Sequence, residues 1–178
     1  MQDHLTSQTQ PEPWLRGTLI DIDPVRRQIL HALELAAEDA TRWTADLTEE
    51  QLFARPAGLA PIAFHLRHIA RSLDRLLTYA EGKQLNDTQL AALKSELDPA
   101  TTTEQQEDPR AELREALQRS TNRIRAITPD HFATPRGVGR KQLPTTVGGL
   151  LVHCADHTQR HTGQFVTTAK VVTPRPHG

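Results

Sequence analysis

The segment VHCADHTQRHTGQ, residues 152–164, sets His153, His157 and His161 four positions apart, with Cys154, the chain's single cysteine, among them. Helix residues turn by about 100° each, so every four-residue step overshoots a full turn by about 40°. Val147, Leu151, Cys154 and Phe165 mark the apolar face of this stretch. Measured from its middle, His161 lies about 40° away, His157 about 80° and His153 about 120°. The spacing therefore puts His157 and His161 at the edge of the buried face and His153 nearer solvent.

An i, i+4 histidine pair presents two imidazoles from adjacent turns, a geometry that suits one divalent cation. Two ligands rarely hold an ion, so a third is expected from a neighbouring helix. FHLRHIARS, residues 64–72, supplies two candidates, His65 and His68. Three neutral imidazoles leave at least one coordination position for water or substrate, the arrangement of a catalytic site. Imidazole suits zinc, nickel, iron or copper, and zinc or nickel is the expected ion. His4, His31, His131 and His177 share no such pattern and are read as ordinary groups.

These residues need long helices to position them. Asp23-Pro24 reads as an N-cap followed by proline at the first helical position. Val25, Ile29, Leu33, Ala36, Ala40 and Trp43 then recur at helical spacing, predicting a helix to about Ala45. Thr48 and Gln51 match a capping box for one further turn. A second long helix is expected from Pro61 to Glu81, striped by Ile62, Leu66, Ile69, Leu73, Leu76, Leu77 and Ala80 and stopped by Gly82. A short helix is expected over residues 86–97, then a proline-bounded loop. A third long helix spans about 109–127 and a fourth runs from Thr145 or Thr146 to about Ala169. The Pro/Gly-rich stretch between these last two is expected to be irregular, and Val171-Val172-Thr173 to be a short extended tail. The fold class is all-α: a four-helix bundle with long crossover connections and a short extra helix. Residues 1–20 read as an irregular arm, 21–172 as a single domain and 173–178 as a tail.

Composition limits the partners. The 178 residues suffice for one domain, and 37% hydrophobic residues suffice for one core. A formal net charge of -1 points away from nucleic acid and anionic membranes. No run approaches the roughly 18 apolar residues of a spanning helix. The N-terminal sequence lacks the basic start and apolar core of a signal peptide, and a lone cysteine fits a reducing compartment. A soluble, cytoplasmic protein is expected.

HLRHIARSLDRLL, residues 65–77, with TVGGLLVHCADHTQRHTGQ, residues 146–164, resembles the DinB/YfiT-like superfamily from about residue 20 onward. The resemblance implies a four-helix bundle whose metal triad is one histidine on the second long helix and a pair on the fourth. The family's second-helix histidine precedes a small apolar dipeptide, here Ile69-Ala70, so the resemblance implies His68, His157 and His161 as ligands. His65 lies nearer the centre of its helix's apolar stripe than His68 and is expected to line the same cavity. The resemblance also implies chemistry: transfer reactions or isomerisations using a low-molecular-weight thiol, or hydrolysis. A bound thiol loses its proton and becomes a nucleophile, and bound water is acidified in the same way.

Other residues flank the candidate site. Cys154 points into the apolar face and reads as a buried, inert thiol. Gln164, one turn past His161, is a candidate to hydrogen-bond in the cavity, and His153 a candidate to line it. Asp74 and Asp156 are candidates to orient a ligand imidazole, and Arg67 and Arg71 to meet an anionic ligand. A di-iron site lacks its inward glutamates, and no nucleophile elbow appears. The expected function is a metal-dependent thiol S-transferase or hydrolase acting on a small electrophilic substrate, with a second copy of the chain as a candidate partner in a homodimer. The alternative is a non-catalytic metal-binding or stress-associated bundle protein.

Overall fold

A computed structural model describes residues 10–96 and 108–173. The expectations for His4, His177, the loop over residues 98–107 and the end of the tail lie outside these residues. Six helices are described: α1 (Pro24–Thr44), α2 (Glu49–Phe53), α3 (Ile62–Ala80), α4 (Asp87–Glu96), α5 (Pro109–Ala126) and α6 (Val147–Val172).

Local chemistry sets most of their ends. Asp23 accepts the backbone N–H groups of Val25 and Arg26 at 3.2 and 3.1 Å, and Pro24 fills the position where no donor is needed. Thr48 and Gln51 cap α2 reciprocally, and Asn86 and Gln89 repeat the device at α4. Gly82 follows α3 with φ of +77°, and its N–H reaches the Tyr79 carbonyl at 2.9 Å. Asp108 caps α5, and Thr146 caps α6 by accepting Gly149 N–H at 3.0 Å.

The four long helices form the bundle. α3 and α1 each pack against both α5 and α6, so α1 and α3 stand on one diagonal and α5 and α6 on the other. Leu33 of α1, Leu66, Ile69, Leu73 and Leu77 of α3, Leu113 and Ile124 of α5, and Leu151 and Phe165 of α6 fill the core. All-α four-helix architecture with α4 as the short extra helix is thus the fold.

Two elements differ from expectation. The stretch before α6 is not irregular: β1 (Pro135–Val138) and β2 (Leu143–Thr146) form an antiparallel hairpin, with Pro135 opposite Thr146 and Val138 opposite Leu143. Four-residue strands carry too little alternation to be read, and their proline and glycine content argued against them. The hairpin matters to the site because it delivers Thr146, the cap of α6, and because Arg136 Nε donates to the Ala80 carbonyl at the end of α3 (2.9 Å). Val171 and Val172 are not an extended tail but the last turn of α6. Val172 packs against the core, and its carbonyl accepts Gln51 Nε2 at 3.3 Å. At the other end, residues 10–22 contain a 3₁₀ turn, Pro13–Leu15, and are held on α1 by Arg16, which pairs with Glu34 at 3.1 Å and Glu38 at 2.5 Å.

Candidate metal centre

α3 and α6 face one another, and their histidines meet at the seam. His68 and His157 bring their Nε2 atoms to 3.0 Å, and His65 and His161 their Nδ1 atoms to 3.0 Å. The His68 and His161 ring centroids are 4.5 Å apart, and those of His157 and His161 4.6 Å. One nitrogen from each of His68, His157 and His161 fits within 4.8 Å of the others, close enough to share an ion. Ligand bonds of about 2.0–2.1 Å separate two nitrogens on one cation by roughly 2.8–3.4 Å, for angles between square and tetrahedral. The His68–His157 separation lies in that interval. Each ring of the three is half-buried, so the cluster is neither sealed nor fully wet.

The ordering read from helical geometry recurs in space. His153 is exposed, with its Nδ1 3.6 Å from Asp156, and it stands outside the three-ring cluster although its ring is 5.4 Å from that of His157. His65 is buried against His161 and belongs to the cluster's inner side. Gln164 is exposed and lies beside the His161 side chain. His65, Gln164, Gly163, Arg160 and Leu59 line a cleft of about 420 Å³ beside the rings. Cys154 is fully buried in the core, and burial pushes its thiol up to about 12, which leaves it protonated and inert.

Burial and the neighbouring rings keep the imidazoles of His65, His157 and His161 neutral. Desolvation, followed by the neighbouring rings of His161 and His68, pulls His65 down to about 4. His157 falls to about 4 through desolvation, then the same two neighbours. Desolvation and then His68 bring His161 to about 4, against a small opposing contribution from Gln164. A metal ligand must be unprotonated, and these groups stay so far into the acid range.

Two residues near the rings were not anticipated. Glu96, the last described residue of α4, places Oε2 2.8 Å from His68 Nδ1, with its side chain only 5% exposed. Arg75 donates to both oxygens of that carboxylate, at 2.7 and 3.2 Å, and to Ser72 Oγ at 3.0 Å. Burial alone would raise the Glu96 pKa, but the hydrogen bonds from His68 and Arg75 prevail and hold it below the ordinary value. Phe64 is the other: its ring stacks on His68 at 5.3 Å and meets His65 edge-on. No local spacing marked Glu96, whose helix lacks an apolar stripe; the signal available was only an acid on a short helix after the histidine helix.

The acids and bases weighed from sequence have other partners. Asp74 binds Arg123 at 2.7 Å and Gln89 at 2.6 Å, and no ligand histidine. Asp156 pairs with Arg160 at 3.1 Å and serves only the exposed His153. Arg67 and Arg71 both pair with Glu112, at 3.6 and 2.8 Å.

Fold and site together define a helical-bundle protein with three histidines, from two facing helices, close enough to hold a metal ion. The DinB superfamily matches residues 32–165, from the middle of α1 to Phe165 in α6, and the chain belongs to that superfamily. No curated protein matches it significantly. No helix of the described residues is long and apolar enough to cross a membrane.

Proposed function

We propose that this protein is a mononuclear metal enzyme in which His68, His157 and His161 hold zinc or nickel and a small thiol is activated for transfer to an electrophilic substrate. The observation that carries this reading is the convergence of three half-buried imidazoles, with no fourth histidine, cysteine or carboxylate joining them among the described residues. A divalent cation on three imidazoles acidifies a thiol or a water molecule at its open position. The chain's own groups supply the rest. Burial keeps His157 and His161 unprotonated at neutral pH. The adjacent cleft of about 420 Å³ has the size of a small-ligand site. Its lining offers the Gln164 amide and the Arg160 guanidinium for the polar end of a thiol cofactor or substrate, with Leu59 and Ala60 for an apolar part. Water entering in place of the thiol would make the same site a hydrolase. We place the protein in the cytoplasm, acting on a small molecule, as a monomer or homodimer.

The test is metal analysis of the purified protein beside His157→Ala, followed by transfer assays with zinc- and nickel-loaded protein, free thiols such as glutathione or cysteine, and a chlorinated aromatic or epoxide acceptor. The reading expects one metal per chain in the wild type, none in the variant, and thiol-dependent turnover lost with the metal. Turnover of activated esters without thiol would favour the hydrolase. Metal binding with neither activity, and a melting temperature that collapses on metal removal, would overturn the enzyme reading in favour of a structural ion.

A further inference from the structure

Glu96 is the one carboxylate of the described residues that touches a histidine of the three-ring cluster, and it comes from an element outside the α3–α6 seam. A neutral imidazole has a single N–H, and the nitrogen that carries it is set by the hydrogen bond the other partner demands. An ionised carboxylate only accepts. Glu96 Oε2, 2.8 Å from His68 Nδ1, therefore requires the proton on Nδ1. The Nε2 lone pair is then bare, and Nε2 is the atom that faces His157 at 3.0 Å. Free histidine in water prefers the opposite tautomer, with its proton on Nε2, which would block that lone pair.

We propose that Glu96, clamped by Arg75, is a positioning residue that commits His68 to offer Nε2 to the cation. The inference rests on the metal-site reading above. Two features of the contact support it. Arg75 engages both carboxylate oxygens, which leaves the group no freedom to swing away from His68. Ser72, bound by the same arginine, stands 3.5 Å from His68 Nε2, too far for a strong bond, so the close neighbour of that lone pair is His157 Nε2 at 3.0 Å, itself one of the three clustered nitrogens. Carboxylates that fix a ligating imidazole in this way contribute about 10–100-fold to metal affinity. Through this contact α4, which has no fully buried residue of its own, becomes part of the metal centre.

The experiment reads the tautomer and the affinity separately. Long-range ¹H–¹⁵N spectra of metal-free wild type should show His68 protonated at Nδ1. Glu96→Ala should move the proton to Nε2, and Glu96→Gln, which keeps the size and removes the charge, should give a mixture. Zinc affinity, measured by competition with a chromophoric chelator, should fall about tenfold or more in Glu96→Ala, with helical content by circular dichroism unchanged. If Glu96→Ala does not fold, the Gln variant carries both readouts. An unchanged His68 tautomer, or an affinity within twofold of wild type, overturns the proposal while leaving the three-histidine site standing. A wild type that takes up no zinc overturns the metal-site reading, and the tautomer then decides alone whether Glu96 sets the ring.

Discussion

Acidification is the sharpest probe of a site in which two of the three candidate ligands are held neutral. His157 and His161 lie near 4, first because burial strips water from the charged ring and second because neighbouring imidazoles repel the added proton. Proton competition weakens the apparent metal affinity by the fraction of ligand protonated. Between pH 7 and pH 5, two ordinary imidazoles of pKa about 6.5 would together cost roughly six hundredfold. Two imidazoles near 4 cost less than about twofold over the same interval. A third imidazole can take up at most one proton per ion, so the whole loss is bounded at about a hundredfold. The apparent zinc dissociation constant should therefore rise by no more than one decade per pH unit. The measurement is a competition titration against a chelator whose own protonation is known, in non-coordinating buffer at three or four pH values. A slope of two or three decades per unit would mean that the α6 imidazoles are solvated like free histidine. The argument that the seam excludes water would then be wrong.

The same shifts make the metal-free protein acid-sensitive. The folded pKa values of His65, His157 and His161, near 4, lie below the unfolded value, so the unfolded chain binds more protons and stability falls as pH drops from 6.5 towards 4. After screening at the half-open rings of His157 and His161 the slope should be on the order of 1–2 kcal/mol per pH unit. Urea midpoints at pH 6.5 and pH 5, above the range where carboxylates titrate, should show it, and a midpoint that stays put would contradict the burial assigned to the rings. Cys154 should resist a disulfide-exchange reagent in the native state and react fully only in denaturant, given its complete burial and a thiol near 12; stoichiometric labelling of the folded protein within minutes would refute that placement. Thr158 is fully buried on α6, and its hydroxyl has no partner among the described residues. Thr158→Val should raise stability by about 1 kcal/mol in thermal melts, and a loss would point to a partner for that hydroxyl.

What could be read from the chain was what short-range chemistry determines. Asp23-Pro24, Thr48 with Gln51, Gly82 and Thr146 each announce a helix end through one or two hydrogen bonds within four residues, and each does so in the structure. The stripe Leu66, Ile69, Leu73, Leu77 is likewise a property of α3 alone, and all four residues are buried. The drift of His153, His157 and His161 around α6 follows from the helical repeat. The hairpin, the last turn of α6 and Glu96 follow from contacts between segments. Val172 stays helical because Gln51, on another element, meets its carbonyl. Glu96 reaches His68 across 28 positions of sequence with the help of Arg75. Asp74, nearer in sequence and on the same helix as His68, is held instead by Arg123 of α5.

The number of imidazoles the seam can bring together follows from helix geometry. A four-residue repeat rotates by about 40° per step, so a third α6 histidine cannot face α3 without the first turning away. His153 occupies that excluded position and is exposed, 3.6 Å from Asp156. α6 can thus give two rings, and α3, whose histidines are three residues apart, meets them at two depths: His65 against His161 on the buried side and His68 against His157 nearer the surface. The inner pair brings Nδ1 to Nδ1, which occupies one nitrogen of His161 and leaves its Nε2 for an ion. The outer pair brings Nε2 to Nε2, with Glu96 behind His68. Were His65 to replace His68 as the ligand, the ion would move inward, away from Glu96. The position of one carboxylate thus argues for His68 on physical grounds that the spacing of histidines along α3 did not contain.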